Sequence, residues 1–206
     1  MAAEFSTLQE KIDPNHTAVV VIDMQNDFCA RGGHLDRLDG QIESLQAIVP
    51  SLRALVKGSK SIGAKVIFVV SDFNDDYLHN PIREIFGRER FSLAGTWGAE
   101  PFEIKPKEED KIITKRTYDA FVGTKLDEIL KKSNIKTLIL SGVITNVCVE
   151  SAARTGFSLG YHIVLPRDCV GYRRKNLHEA SLENIERYYG TVTNSENLLA
   201  LWQGQK

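Results

Sequence analysis

The segment Ser141–Glu150, SGVITNVCVE, marks the point where a buried strand is expected to pass into a helix. Before it, Thr137–Leu140 (TLIL) is continuously apolar, which is typical of a strand covered on both faces. After it, apolar residues recur at helical spacing, at Val149, Ala152, Ala153 and Phe157. The segment therefore predicts a strand, a short loop and a helix that begins near Cys148.

Cys148 stands at the start of the predicted helix, where a thiol can have two different roles. Unpaired N–H groups and the positive end of the helix dipole would favour its thiolate, the nucleophilic form. Most free cysteines, however, are small buried residues without a chemical role. Position alone leaves both interpretations open.

Two further apolar runs also end at polar residues. Thr17–Ile22 (TAVVVI) is followed by Asp23, and Lys111–Thr114 (KIIT) is followed by Lys115. An aspartate after a strand often forms a turn, and a lysine is usually solvated. In parallel α/β sheets, however, ligands bind beyond the carboxyl ends of the strands. An acid, a cation and the Cys148 thiol at three strand ends therefore predict a site.

Strand-like and helix-like stretches alternate along the chain, which predicts one α/β domain over residues 1–206. The strand-like runs are Thr17–Ile22, Lys65–Ser71, Lys111–Thr114, Thr137–Ser141, His162–Leu165 and a weaker Thr191–Thr193. The helix-like stretches are Leu38–Lys57, Thr124–Lys132, Asn146–Leu159 and Asn176–Tyr188. Such alternation indicates right-handed crossovers and a parallel sheet with helices on both faces.

The composition of the chain indicates which partners and which cellular compartment to expect. The net charge of −1 gives no electrostatic reason to expect nucleic acid or an anionic membrane as partner. No apolar run approaches the roughly 20 residues that cross a bilayer, and Met1–Pro14 does not resemble an export signal. Three widely spaced cysteines argue against a disulfide framework and suit a reducing compartment. We therefore expect a cytoplasmic protein.

Several blocks of the chain together resemble the isochorismatase-like cysteine hydrolases. The matching blocks are Val19–Phe28, Lys115–Leu130, Ser141–Tyr161, the RDCV stretch around Asp168, and Asn176–Ile185. The resemblance implies a three-layer α/β/α fold with a six-stranded parallel sheet in the order 3-2-1-4-5-6. It also implies a homodimer or homotetramer without a cofactor.

The family's catalytic triad falls on Asp23, Lys115 and Cys148, and its cis peptide bond precedes Ile144. The thiol of Cys148 would attack an amide carbonyl, and Asp23 would carry the proton to the leaving amine. Lys115 would hold Asp23 ionised and favour the thiolate. Backbone N–H groups of Ile144 and Cys148 would bind the oxyanion.

The stretch after the second strand differs from the metal-binding branch of the family. Nicotinamidases place Asp-x-His there for a divalent metal, whereas this chain has Asp72 followed by Asn74 at the histidine position. With only His79 nearby, the ligand set is poor. We therefore expect no metal, and we expect His79 to be exposed.

The long region Asp72–Glu103 is expected to determine the substrate, since loops over a rigid scaffold often carry specificity. Within the metal-free branch, the chain is most similar to the ureidoacrylate amidohydrolases. This similarity implies a small carbamoyl or ureido amide, of the ureidoacrylate, biuret or N-carbamoyl-amino-acid type. The candidate substrate-binding residues are Phe28, Asn74, Tyr118 and Trp97. Core packing is the alternative role of Phe28 and Trp97.

Other functions remain open at the level of sequence. The chain could be a nicotinamidase-like amidase, an isochorismatase-type vinyl-ether hydrolase, or a catalytically silent binding protein. A phosphate loop at residues 58–65 is disfavoured because its glycine and lysine are out of register and it precedes a strand. Cys29 and Cys169 are expected to be packing residues, and Asp168 to brace neighbouring loops.

Overall fold

The computed structural model describes residues 5–74, 79–86 and 90–204, without the side chains of residues 80 and 86. Within these residues the chain forms a parallel sheet between two layers of helices, as predicted. The strands are β1 Thr17–Ile22, β2 Lys65–Ser71, β3 Lys111–Lys115, β4 Thr137–Val143, β5 His162–Pro166, β6 Val170–Gly171 and β7 Gly190–Thr193.

The six longer strands have the expected topology. Their order in the sheet is β3-β2-β1-β4-β5-β7, and every pairing is parallel. The prediction did not include β6, a two-residue strand that pairs beside the end of β4. A strand of two residues has no detectable alternation, so no sequence pattern could indicate it.

The helices surround the sheet but differ in detail from the predicted stretches. They are α1 Leu8–Lys11, α2 Asn26–Cys29, α3 His34–Asp39, α4 Glu43–Gln46, α5 Val49–Ser61, α6 Asn80–Phe86, α7 Leu126–Lys132, α8 Glu150–Ser158, α9 Lys175–Tyr188 and α10 Ser195–Gln203. The prediction of a single helix over Leu38–Lys57 was wrong. Gly40 ends α3 in a left-handed conformation, and Pro50 lies in the first turn of α5, so three shorter helices form.

Alternate residues of the central strand point into two separate cores. Val19 and Val21 of β1 lie in a core with Leu52 of α5 and Trp202 of α10. Ala18, Val20 and Ile22 lie in the opposite core, which also contains residues of α7, α8 and α9. The period of two along a strand buried on both faces thus produces the three layers.

The carboxyl end of β4 pairs with the end of β1 at a glycine, Gly142, opposite Ile22. Gly142 has φ +104°, and a Cβ atom there would lie 2.0 Å from the carbonyl oxygen of Ile22. Only glycine allows this approach without displacing the backbone. The loops that follow β1 and β4 are therefore held side by side, and these loops carry Asp23 and Cys148.

Candidate active site

The structure brings the three predicted triad side chains together at the carboxyl edge of the sheet. The Lys115 Nζ atom lies 2.8 Å from Asp23 Oδ2. The same nitrogen lies 3.4 Å from the Cys148 Sγ atom. The side chains of Asp23 and Lys115 are wholly buried, and Cys148 is 4% exposed. An acid, a cation and a thiol thus lie next to one another in a site that is buried from solvent.

Asp23 follows β1 in a backbone conformation that few residues other than glycine adopt. Its φ is +52°, and its N–H extends the sheet by donating to the Val69 carbonyl at 2.8 Å. Aspartate tolerates this left-handed region better than most side chains. Its Oδ2 atom is buried against the Lys115 ammonium at 2.8 Å. A carboxylate oxygen has two lone pairs, so this contact leaves one that can accept a proton.

Ser71 is a member of the cluster that the sequence interpretation missed. Its hydroxyl donates to Asp23 Oδ1 at 2.8 Å and accepts from Lys115 Nζ at 2.9 Å. Its backbone N–H donates to the Gln25 side-chain oxygen at 2.8 Å. Ser71 is the last residue of β2, between the ends of β1 and β3, so its place at a strand end was the available signal.

The ammonium of Lys115 remains charged despite its complete burial. Burial alone would lower the pKa of Lys115, but the Asp23 carboxylate and the Cys148 sulfur raise it above its ordinary value. The ammonium also donates to the Thr117 carbonyl at 3.0 Å. A buried charge with several acceptors is the arrangement in which such an ion can persist.

The thiol of Cys148 is protonated at rest, which corrects the expectation that its position favours the thiolate. Burial is the largest influence, and it raises the pKa of Cys148 to about 12. Lys115 opposes this shift, while the Asp23 carboxylate adds to it. The sequence argument considered the N–H groups and the dipole of the helix, whereas the burial of the sulfur has the larger effect. A base is therefore needed when the sulfur attacks.

Cys148 lies in a π-helical turn, Thr145–Val149, between β4 and α8. The peptide bond between Val143 and Ile144 is cis, as the resemblance implied. The Ile144 carbonyl accepts hydrogen bonds from the N–H groups of Val147 at 3.0 Å and Val149 at 3.3 Å. These bonds tie the turn to the end of β4.

A cavity of about 550 Å³ opens onto Cys148. Its described lining is mainly apolar, and Phe28 and Tyr118 belong to it. Burial is the largest influence on Tyr118 and raises the pKa of its phenol, so the hydroxyl stays protonated and can donate a hydrogen bond. Two of the four predicted substrate-binding residues therefore face the candidate site.

The other two predicted substrate-binding residues, Asn74 and Trp97, are not among the described lining residues of the cavity. Asn74 is exposed, and Trp97 is 50% exposed. The backbone carbonyl of Trp97 accepts a hydrogen bond from Asn26 at 2.8 Å, which anchors this turn beside α2. Substrate contacts by these two side chains stay a prediction.

An aromatic group that sequence reasoning missed forms one wall of the cavity. Phe91 is at its centre, with its ring 3.9 Å from that of His34 in a parallel stack. The rings of Phe73 and Phe28 lie 5.0 Å and 5.8 Å from Phe91. Phe91 lies in the least patterned part of the chain, so no periodicity indicated its burial.

The remaining candidates of the sequence have ordinary surroundings. Asp72 accepts a hydrogen bond from the Ala94 N–H at 3.3 Å and lies 4.0 Å from Arg116. His79 is exposed, as expected. In residues 5–74, 79–86 and 90–204, no three His, Cys, Asp or Glu side chains are grouped as metal ligands would be. The absence of a bound metal stays a prediction.

Cys29 and Cys169 are buried in the core, in agreement with packing roles. Burial raises the pKa of both thiols. Asp168 accepts a hydrogen bond from the Ser195 N–H at 2.8 Å and so braces the start of α10.

The glycine-rich residues 58–65 form the end of α5 and the turn into β2. A Cβ atom at Gly58 would lie 2.2 Å from Leu199, so this glycine allows α5 and α10 to pack closely. No helix in the described part of the chain has the length and apolar character of a membrane span.

Comparison with known proteins agrees with this architecture. The isochorismatase domain model matches residues 17–197. Ureidoacrylate amidohydrolase RutB from Acinetobacter baylyi is 28% identical, over 94% of this chain and 86% of the relative. A cysteine hydrolase from Pseudomonas syringae pv. phaseolicola has the same fold, with a TM-score of 0.85 and 24% identity over 95% of this chain and 96% of that chain.

A third similar protein is N-carbamoylsarcosine amidase from Thermoplasma acidophilum. Its crystal structure superposes with a TM-score of 0.73 at 28% identity, and the match covers 88% of this chain and 97% of that one. The domain match extends over most of the 206 residues and includes all three strand ends that form the site. The chain therefore belongs to the isochorismatase family.

Proposed function

We propose that this enzyme hydrolyses the C–N bond of a small carbamoyl or ureido amide through a thioester-type acyl group on Cys148, which is an S-carbamoyl group when the substrate carbonyl lies between two nitrogens. The observation that carries the proposal is the single ammonium of Lys115, in contact with both the Asp23 carboxylate and the Cys148 sulfur. The amidohydrolase names of two relatives support the amide as substrate class. The cavity that ends at Cys148 supplies room for that substrate.

In the first step the Cys148 sulfur bonds to the amide carbon while its proton passes to Asp23. The proton acceptor is needed because the thiol is neutral at rest. The Asp23 carboxylate, which interacts with both Lys115 and Cys148, fits this role. The electron pair of the C=O bond moves to the oxygen, where the N–H groups of Ile144 and Cys148 are proposed to stabilise the negative charge.

In the second step the C–N bond breaks, and the nitrogen takes the proton from Asp23 and leaves as ammonia or a small amine. Water then attacks the thioester and gives one proton to Asp23. The C–S bond breaks, the acid is released, and the sulfur takes the proton back from Asp23, which restores the resting enzyme. Lys115 keeps its charge throughout and stabilises each anion that forms beside it.

Tyr118 and Phe28 are proposed to orient the substrate. The Tyr118 hydroxyl could bond to a planar urea group or its ring could stack against it, and Phe28 supplies an apolar wall. Arg173 also lines the cavity, where its guanidinium pairs with Asp39 at 2.5 Å. These contacts favour a flat polar amide with an apolar neighbour.

Two alternative functions have less support. Hydrolysis of a vinyl ether, as in isochorismate, does not need a thiol nucleophile, so the buried cluster around Cys148 would have no purpose in it. A silent binding protein would not need the buried ion pair of Asp23 and Lys115, which is costly to desolvate. The homo-oligomeric state and the cytoplasmic location stay predictions.

An ammonia-release screen tests the substrate class. Ureidoacrylate, biuret, N-carbamoyl amino acids and nicotinamide would be offered to the wild-type protein at equal concentration. We expect kcat/KM for at least one carbamoyl or ureido compound to exceed that for nicotinamide by about tenfold or more, because the chain has Asn74 where nicotinamidases have a metal-binding histidine. Activity confined to nicotinamide would contradict the proposal.

A further inference from the structure

His178 is a buried side chain that the mechanism above does not use. It lies near the start of α9 and is 5% exposed, with its ring stacked 4.4 Å from that of Tyr172. Its Nδ1 atom lies 2.9 Å from the Thr145 Oγ1 atom. Thr145 is the first residue of the turn that contains Cys148.

The protons of this contact can be assigned from its neighbours. The Thr145 hydroxyl lies 2.8 Å from the Gly171 carbonyl oxygen, which can only accept a hydrogen bond. The single hydroxyl proton therefore points at Gly171, and the hydroxyl oxygen accepts from His178. Nδ1 of His178 must carry a proton, and the ring is an N–H donor to the turn. Burial also lowers the pKa of His178, which favours the neutral ring.

A second residue of α9 contacts the same turn. Ser181, one helical turn after His178, donates to the Glu150 carboxylate at 2.6 Å and lies 3.5 Å from the Thr145 carbonyl oxygen. Side chains three residues apart lie on one face of a helix. One face of α9 thus contacts both the first residue of the turn and the first residue of α8.

We propose that His178 is a positioning residue, whose Nδ1–H···Oγ1 bond to Thr145 fixes the turn that carries the Cys148 thiol. It contacts neither the cavity nor the Asp23–Lys115 pair, so it acts only through Thr145. The role of His178 in turnover rests on the proposed hydrolytic function. Its effect on the reactivity of the Cys148 thiol is independent of that function.

Two amide variants separate this role from simple packing. In His178→Asn, the side-chain amide nitrogen can occupy the place of Nδ1 and donate to Thr145. In His178→Gln, the amide lies one bond further out, at the place of Nε2. In both variants the Thr145 hydroxyl can still donate to the Gly171 carbonyl, so neither change leaves that hydroxyl proton without an acceptor.

We expect His178→Gln to lower kcat about tenfold or more with KM changed less than about twofold, which is the effect of one lost hydrogen bond. The kcat of His178→Asn should stay within about threefold of the wild-type kcat. The rate of alkylation of Cys148 by iodoacetamide, measured by peptide mass against Cys29 and Cys169, should follow the same order. Equal kcat and equal alkylation in the two variants would overturn the proposal, as would a change in KM alone.

Thr145→Val tests the same contact from the other side, even where an amide variant fails to fold. Combined with His178→Gln, it should lower kcat and the alkylation rate no more than Thr145→Val alone, because Thr145→Val already removes the bond to His178 together with the bond to Gly171. Multiplied effects would contradict the proposal. If the wild type hydrolyses no amide, the proposed function fails, and the alkylation rates alone decide the role of His178.

Discussion

Replacing Cys148 with alanine is expected to lower the rate of amide hydrolysis by more than roughly a thousandfold, because Cys148 is the only thiol in the described lining of the cavity. The two other thiols, Cys29 and Cys169, are fully buried in the core. Neither is among the described lining residues of the cavity that opens onto Cys148. The change is tested by steady-state ammonia release under conditions where the wild type is saturated.

The fold of this variant should survive, since only one sulfur atom is removed, at the edge of a cavity. We expect a loss of about 1 kcal/mol in the free energy of unfolding. Cys169→Ala is the matched control, because it removes a buried thiol of the opposite core and should keep wild-type turnover. Wild-type turnover in Cys148→Ala would remove the proposed nucleophile.

Lys115→Met is expected to lower the free energy of unfolding by about 3–5 kcal/mol and to abolish turnover. The change leaves the Asp23 carboxylate without its cation in a site where both side chains are wholly buried. Removing one partner of a buried ion pair leaves a desolvated charge that nothing compensates. Urea denaturation followed by circular dichroism measures the loss of stability.

The double variant with Asp23→Asn and Lys115→Met separates charge from packing. It removes both charges, so its free energy of unfolding should be lower than that of wild type by clearly less than the sum of the two single losses. Turnover should remain absent, because the proton acceptor is gone. Additive losses of stability would mean that the pair is not coupled, contrary to the 2.8 Å contact.

The strands were the most predictable part of the fold. β1 and β2 have the predicted bounds, because each is a continuous apolar run that stops at a polar residue. That same feature predicted the site, since parallel strands bring their carboxyl ends to one edge. The meeting of Asp23, Lys115 and Cys148 is a direct consequence of the strand order.

Other features depend on contacts between distant segments and could not be predicted. Ser71 stood at a predicted strand end, but its contacts with both Asp23 and Lys115 follow only from the packed position of β2 between β1 and β3. The burial of Phe91 depends on its contacts with Phe28 and His34, far away in sequence. The raised pKa of Cys148 follows from desolvation, a property of the packed fold and not of helix position.

The most direct test is the mass of the Cys148 peptide after a single turnover. Enzyme in excess would be mixed with a slowly hydrolysed carbamoyl or ureido substrate and quenched with acid at several times during the first turnover. Each sample would be digested and its peptides analysed by mass spectrometry, and the released ammonia would be measured in the same sample. We predict that the Cys148 peptide gains the mass of the acyl group during the first turnover and loses it again as the acid is released. Stoichiometric ammonia release while that peptide stays unmodified at every quench time would contradict the account.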